Sequence, residues 1–120
     1  MQVFNQPVAL AVPLNANSVS TAIPLKNLYL YNVTAVITGT PTGVIELQAS
    51  SDPETNPSQT VPPPANWITI TNSNFTLSSA GKTMWNDTDV AYNWVRVKYT
   101  DASGGMSTAV MDIIFNGKAP

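Results

Sequence analysis

Three groupings of side chains have residue types and spacings that suggest chemistry: Asp52 with Glu54, Asn86 with Asp87 and Asp89, and Trp94 with Arg96 and Lys98. Paired carboxylates about 5 to 9 Å apart across a cleft hydrolyse glycosides. Asp52 and Glu54 instead sit on a proline-rich loop that fixes no such separation. Clustered oxygen ligands such as Asn86, Asp87 and Asp89, joined by Asp101 from the next turn, are the donor set for Ca²⁺. They lack EF-hand spacing, and Asn-Asp-Thr-Asp is equally ordinary turn composition. Trp94, Arg96 and Lys98 recur at every second residue, which places an aromatic and two cations on one face of a strand. Such a face suits an acidic partner, or a sugar stacked on an indole ring. Of Trp67, Trp85 and Trp94, one or two are expected in the core, and Trp94 is the best placed for a platform.

The chain contains no histidine and no cysteine. That removes the commonest general base and zinc ligand, all thiolate sites and all disulfides. No Ser-x-x-Lys pattern activates a serine, and Gly104-Gly105 stands outside any phosphate-cradling loop. The expectation is a non-enzymatic protein with no catalytic residue, no cofactor and no assigned metal ligand.

The elements that must carry these side chains alternate with period two. In Ala91 to Thr100, Val95, Val97 and Tyr99 share one face while Trp94, Arg96, Lys98 and Thr100 share the other. Leu28 to Thr38 places Tyr29, Tyr31, Val33, Ala35 and Ile37 together, and Val44 to Ser50 turns Ile45, Leu47 and Ala49 inward. The turn Gly39-Thr-Pro-Thr-Gly43 between these two predicts a hairpin, and Asp101-Ala-Ser-Gly-Gly105 predicts another before the strand Met106 to Asn116. Shorter strands are expected at Trp67 to Ile70, Phe75 to Ser79 and Lys82 to Asn86. No stretch of useful length has helical periodicity. Seven to eight short strands with regularly spaced turns define an all-β fold, an antiparallel β-sandwich of jelly-roll or Ig-like type.

Residues 1–26 read as an N-terminal arm or edge strands and 27–118 as the sandwich domain. Met1 to Pro24 carries no charge, and Pro7, Pro13 and Pro24 confine its strands to a sheet edge or to pairing with another molecule. Between 51 and 66 lies a long proline-bearing loop, whose Pro62, Pro63 and Pro64 would hold a stiff segment suited to docking.

Charged residues make up only 10 % of the chain and the net charge is −2, so the solvent face is polar but mostly neutral. This balance argues against nucleic acid as a partner, because phosphate neutralisation needs clustered Lys and Arg. The N-terminus lacks the basic start, apolar run and cleavage site of a signal peptide, and no window approaches the ~20 apolar residues of a membrane span. Synthesis in the cytoplasm without export or membrane insertion is expected. The tripeptides beginning at Asn32, Asn74 and Asn86 match the glycosylation pattern, as chance allows in a chain so rich in Asn and Thr.

Taken together, Gly39-Thr-Pro-Thr-Gly43-Val-Ile-Glu-Leu-Gln-Ala-Ser-Ser-Asp52, Asn66-Trp67-Ile-Thr-Ile70, Trp94-Val-Arg96-Val-Lys-Tyr99-Thr and Phe115-Asn-Gly-Lys118 resemble a family of small virion structural proteins of tailed bacteriophages. The resemblance implies a capsid decoration, head-fibre or neck component. It would meet the major capsid protein or other virion proteins and form a homo-oligomer, a trimer among the candidates. Localisation in the virion follows from the same resemblance. Leu47 to Asp52 followed by Trp67 is also similar to the Ser-Asn-Asp-Gly…Trp pattern of galactose-binding-like β-sandwiches, with Pro53 where that pattern has glycine. That similarity implies a carbohydrate-binding module for host attachment as the alternative, with a glycan as its partner.

Overall fold

The computed structural model describes residues 2–25, 30–53, 64–87 and 92–119. Glu54, Pro62, Pro63 and Asp89 lie outside the described residues, as does the side chain of Asp87.

Alternation of buried and exposed side chains produces strands throughout, in order β1 (Gln2–Pro13), β2 (Ser18–Val19), β3 (Ile23–Pro24), β4 (Leu30–Thr38), β5 (Gly43–Ser50), β6 (Ile68–Thr69), β7 (Phe75–Leu77), β8 (Gly81–Asp87), β9 (Trp94–Asp101) and β10 (Val110–Ala119). They form two antiparallel sheets. One has the order β1-β10-β4-β8; the other runs β2-β9-β5-β6, with β3 also on β9 and β7 also on β5. Because β2 and β3 share one neighbour and β6 and β7 share another, the ten segments fill eight strand positions, and the expected β-sandwich is present.

Its core lies between the inner faces of the two sheets. Tyr31, Val33, Ala35 and Ile37 of β4 are buried with Met111, Ile113 and Phe115 of β10, opposite Ile45 and Leu47 of β5 and Val95, Val97 and Tyr99 of β9. Tyr31 stacks on Phe115 at 5.9 Å between centroids. Trp85 closes the core from β8 and donates its indole N–H to the Ser73 carbonyl at 2.6 Å.

The two expected hairpins are absent. β4 pairs with β10 and β8, β5 pairs with β9, and β9 and β10 lie in different sheets. Period-two alternation fixes which face of a strand is buried but not which strand lies beside it, and facing strands have the same pattern as paired ones. Gly39–Gly43 and Asp101–Ala109 are arches over one end of the sandwich. β4 already has a neighbour on each side, so the chain leaving it must change sheets.

That arch depends on a close approach. A Cβ on Gly43 would lie 2.5 Å from the Thr100 carbonyl oxygen and 2.6 Å from the Tyr99 hydroxyl oxygen. The Tyr99 hydroxyl is shared between the Leu14 and Thr42 carbonyls at 3.1 and 3.2 Å, joining two loops to β9.

The outer face of the four-stranded sheet carries a row of amides. Asn5, Asn116, Asn32 and Asn86 stand in register across β1, β10, β4 and β8. Asn5 donates to Asn116, and Asn116 donates in turn to Asn32 at 3.0 Å. Asn32, the head of one glycosylation tripeptide, is thus engaged within the sheet.

The uncharged N-terminal stretch forms the edge strand β1 on β10, longer than its prolines suggest. It is broken by register shifts after Pro7 and Ala9. Ala11 takes φ 53° there, and its N–H donates to Asp112 at 2.8 Å.

Gly43→Ala is expected to cost about 1 to 3 kcal/mol by overpacking, seen as a lower melting temperature in calorimetry. Ala11→Gly, which relieves a left-handed conformation at an L-residue, should instead stabilise by about 0.5 to 1 kcal/mol. A melting temperature unchanged by either substitution would refute the corresponding account.

Candidate binding face

Strand alternation turns Trp94, Arg96 and Lys98 of β9 outward beside Ser50, Gln48 and Glu46 of β5, their cross-strand partners. β6 adds Thr69 opposite Gln48, and the segment entering β6 brings Trp67. The Arg96 guanidinium carbon sits 4.2 Å from the centroid of the Trp67 ring, a cation–π geometry. Its Nε donates to Gln48 Oε1 at 2.8 Å. Gln48 is almost wholly covered, and its amide reaches Thr69 Oγ1 at 3.5 Å. Burial pushes the Arg96 pKa down, yet guanidinium remains charged at any physiological pH. The neighbouring Lys98 lies 3.8 Å from Glu46, a half-exposed pair that contributes little to stability.

A clamp at the root of the long loop fixes both outer indoles. Asp52 accepts from the Ala65 N–H at 2.7 Å, the Asn66 N–H at 3.0 Å and the Asn66 side-chain amide at 2.8 Å. The Asp52 carbonyl in turn accepts from Trp94 Nε1 at 3.1 Å and from the Asn93 amide at 3.0 Å. Trp67 Nε1 donates to the Pro64 carbonyl at 3.2 Å. Asp52 therefore does structural work, joining the two ends of the loop under Trp67 and Trp94. Beside the clamp, a cleft of about 450 Å³ opens at the end of the sandwich between Asp52, Asn66, Ile68, Ile70 and Tyr92.

The structure thus brings Trp94, Arg96 and Lys98 together on one face, as their spacing predicts, and separates Trp85 from them in the core. Of the three prolines singled out in the sequence, Pro64 is described, and its carbonyl serves Trp67. Among the described residues no three acidic side chains gather into a metal-ligating group. Asp101 is directed into its own turn, accepting from Ser103 N–H at 2.9 Å, Ser103 Oγ at 2.6 Å and Gly105 N–H at 3.0 Å. Sequence reasoning missed the roles of Trp67 and Gln48 as the seat of Arg96. Strand alternation had already turned Gln48 outward, but nothing local to Trp67 shows that it lies beside β9.

No family model matches the sequence, and neither does any characterised protein. Among solved structures, the chain is similar to the SPBc2 prophage-derived protein YomS, with TM-score 0.60 and 9 % identity over 97 % of this chain and 92 % of that one. It is also similar to the PBSX exported protein XepA, with TM-score 0.61 and 9 % identity over 98 % of this chain and 37 % of XepA, so it spans little more than a third of that protein. A chitosan-binding module from a chitosanase/glucanase of Paenibacillus sp. IK-5 follows at TM-score 0.50 and 17 % identity, over 91 % of this chain and 74 % of the module. These likenesses are of fold. Two phage-derived proteins and a sugar-binding module share this β-sandwich.

The hydrogen bonds to Asp52, first that from the Asn66 side chain and then the two backbone N–H groups, lower its pKa below the ordinary 3.8. A depressed carboxylate pKa stabilises the fold above the unfolded value, and that contribution disappears as pH falls through the folded one. The clamp should therefore hold at neutral pH and release below the ordinary aspartate range, changing the fluorescence of Trp67 and Trp94. Asp52→Asn should remove this acid-linked change. A variant that retained the wild-type pH profile would show that the clamp is not its source.

Proposed function

We propose that this chain is a non-enzymatic structural protein of a bacteriophage particle, a capsid decoration, neck or fibre component that acts through subunit contacts. The observation that carries this reading is the fold shared with prophage-derived YomS over nearly the full length of both chains. Topology supports it as well. Strands that alternate between sheets in the orders β1-β10-β4-β8 and β2-β9-β5-β6 fit a jelly roll, an architecture of viral capsid and lectin domains.

Self-association is part of the proposal. β8 is an edge strand of seven residues without proline, it keeps unbroken register with β4, and it exposes Met84. Among the described residues no strand pairs with the outer side of β8, and an open edge, here charged only by Lys82 and Asp87, favours pairing with another chain. By contrast, β1 is interrupted by prolines and register shifts, and the other sheet ends in segments of two or three residues.

A second reading, a carbohydrate-binding face used in host attachment, is favoured by the arrangement of Trp67, Arg96, Gln48 and Trp94. Among the described residues no helix is long and apolar enough to cross a membrane.

Antibodies against the chain, applied to gradient-purified phage, should label intact particles at fixed positions, and the isolated protein should have a native mass that is a small multiple of 12.8 kDa. A strictly monomeric protein absent from particles would overturn the structural reading. A glycan array separates the second reading, since assembly by subunit contacts gives no sugar-dependent signal.

A further inference from the structure

The geometry points to Arg96 as the centre of an anion-binding site for carboxylate-bearing saccharides, polymers containing uronic acid residues. The inference rests on the second reading above, that the outer face of the six-stranded sheet binds glycan, and names the sugar class that face would select.

Arg96 is built in and left uncompensated. The Trp67 ring lies beneath its guanidinium carbon, and Gln48 takes its Nε–H. The two terminal amino groups have no acceptor among the described residues, so the forked end is left for a ligand. Among the described residues, Glu46 lies against Lys98, and the Asp52 carboxylate is taken up by Ala65 and Asn66. Partial burial meanwhile weakens the hydration of the cation. A planar, partly desolvated guanidinium with a free fork is matched by a carboxylate, which accepts two parallel N–H bonds.

The surroundings favour a sugar as the carrier of that carboxylate. Trp94 lies two residues from Arg96 on the same strand face, about 7 Å away by strand rise. Its indole N–H is fixed by the Asp52 carbonyl. Trp94 can receive the apolar face of a pyranose ring while the carboxylate on that ring, or on the next, meets Arg96. Lys98 stands an equal step further along, shared with Glu46, and supplies a second positive charge for a polyanion. A cationic amino sugar would face Arg96 directly and be repelled. The site should therefore discriminate against chitosan, although a chitosan-binding module shares the fold.

Calorimetric titration of the full chain with oligogalacturonate, its methyl ester, a chitosan oligosaccharide and oligoglutamate tests this. Oligogalacturonate should bind, with affinity falling as salt rises, and the neutral ester should bind about ten- to a hundredfold more weakly, the range for loss of a charged hydrogen bond. The chitosan oligosaccharide should give no binding. Arg96→Gln should lose affinity for the acid to the same extent while its affinity for the ester stays unchanged. Arg96→Lys keeps the charge but lacks the planar fork and should fall between; it also serves as the folded control if Arg96→Gln melts early. Equal affinity for acid and ester would overturn the acid selectivity while leaving the glycan reading intact. Absence of binding by every saccharide would overturn both. Oligoglutamate binding as tightly as oligogalacturonate would overturn the proposal in favour of acidic protein surfaces.

Discussion

One close approach governs the end of the molecule where the chain repeatedly changes sheets: Tyr99 packed beneath Gly43. With no side chain on Gly43, the Tyr99 ring fills that space, and its hydroxyl reaches the carbonyls of Leu14 and Thr42. Those carbonyls belong to the loop after β1 and to the arch between β4 and β5, so one phenol joins both to β9. Burial and the neighbouring Asp101 raise the Tyr99 pKa, which keeps the hydroxyl protonated and able to donate. The same strand, β9, presents Trp94, Arg96 and Lys98 on its opposite face. Anchoring the inner face of β9 in the core therefore fixes the register of the outer one.

The chain satisfies its surface with few charges, and amides do much of the work. From β1 through β10 to β4 the asparagine row supplies donor and acceptor, so hydrogen bonds pass from strand to strand without ion pairs. Opposite, Gln48 links Arg96 to Thr69, and Asn66 and Asn93 bind the loop root to Asp52. Ser73 follows the same logic inside. Its hydroxyl accepts from the Leu47 N–H and donates to the Leu47 carbonyl, completing the β5 ladder in the gap between β6 and β7. Neutral polar groups carry a smaller desolvation cost than ions, so covering such a surface costs less than covering a charged one.

The inner faces were legible because burial imposes the period of two directly: Val95, Val97 and Tyr99 are buried, as are Tyr31, Val33, Ala35 and Ile37. The connections were not. Gly39–Gly43 and Asp101–Gly105 have turn composition, and an arch between sheets needs the same residues as a hairpin. What excludes the hairpin is the pairing of β4 with β10, a strand more than seventy residues away, and no local pattern encodes that choice. The candidate face was half legible for the same reason. Its β9 residues follow from alternation, whereas Trp67 reaches Arg96 because β6 pairs with β5 and the Asp52 clamp brings the far end of the long loop back beside it.

Arg96 gains its meaning from that contrast. The other described charges are either partnered or open to water: Lys98 lies near Glu46, Asp52 and Asp101 are ringed by N–H and O–H donors, Asp112 accepts from the Ala11 backbone, and Lys82 and Lys118 are exposed. A structural arginine at a half-buried position would ordinarily face a carboxylate, since desolvation without a counter-charge is unfavourable. Here its seat is an indole ring and a neutral amide, which orient the guanidinium without neutralising it. Orientation without neutralisation is what the proposed anion site requires, because the cost of positioning the guanidinium is then met in folding rather than on binding.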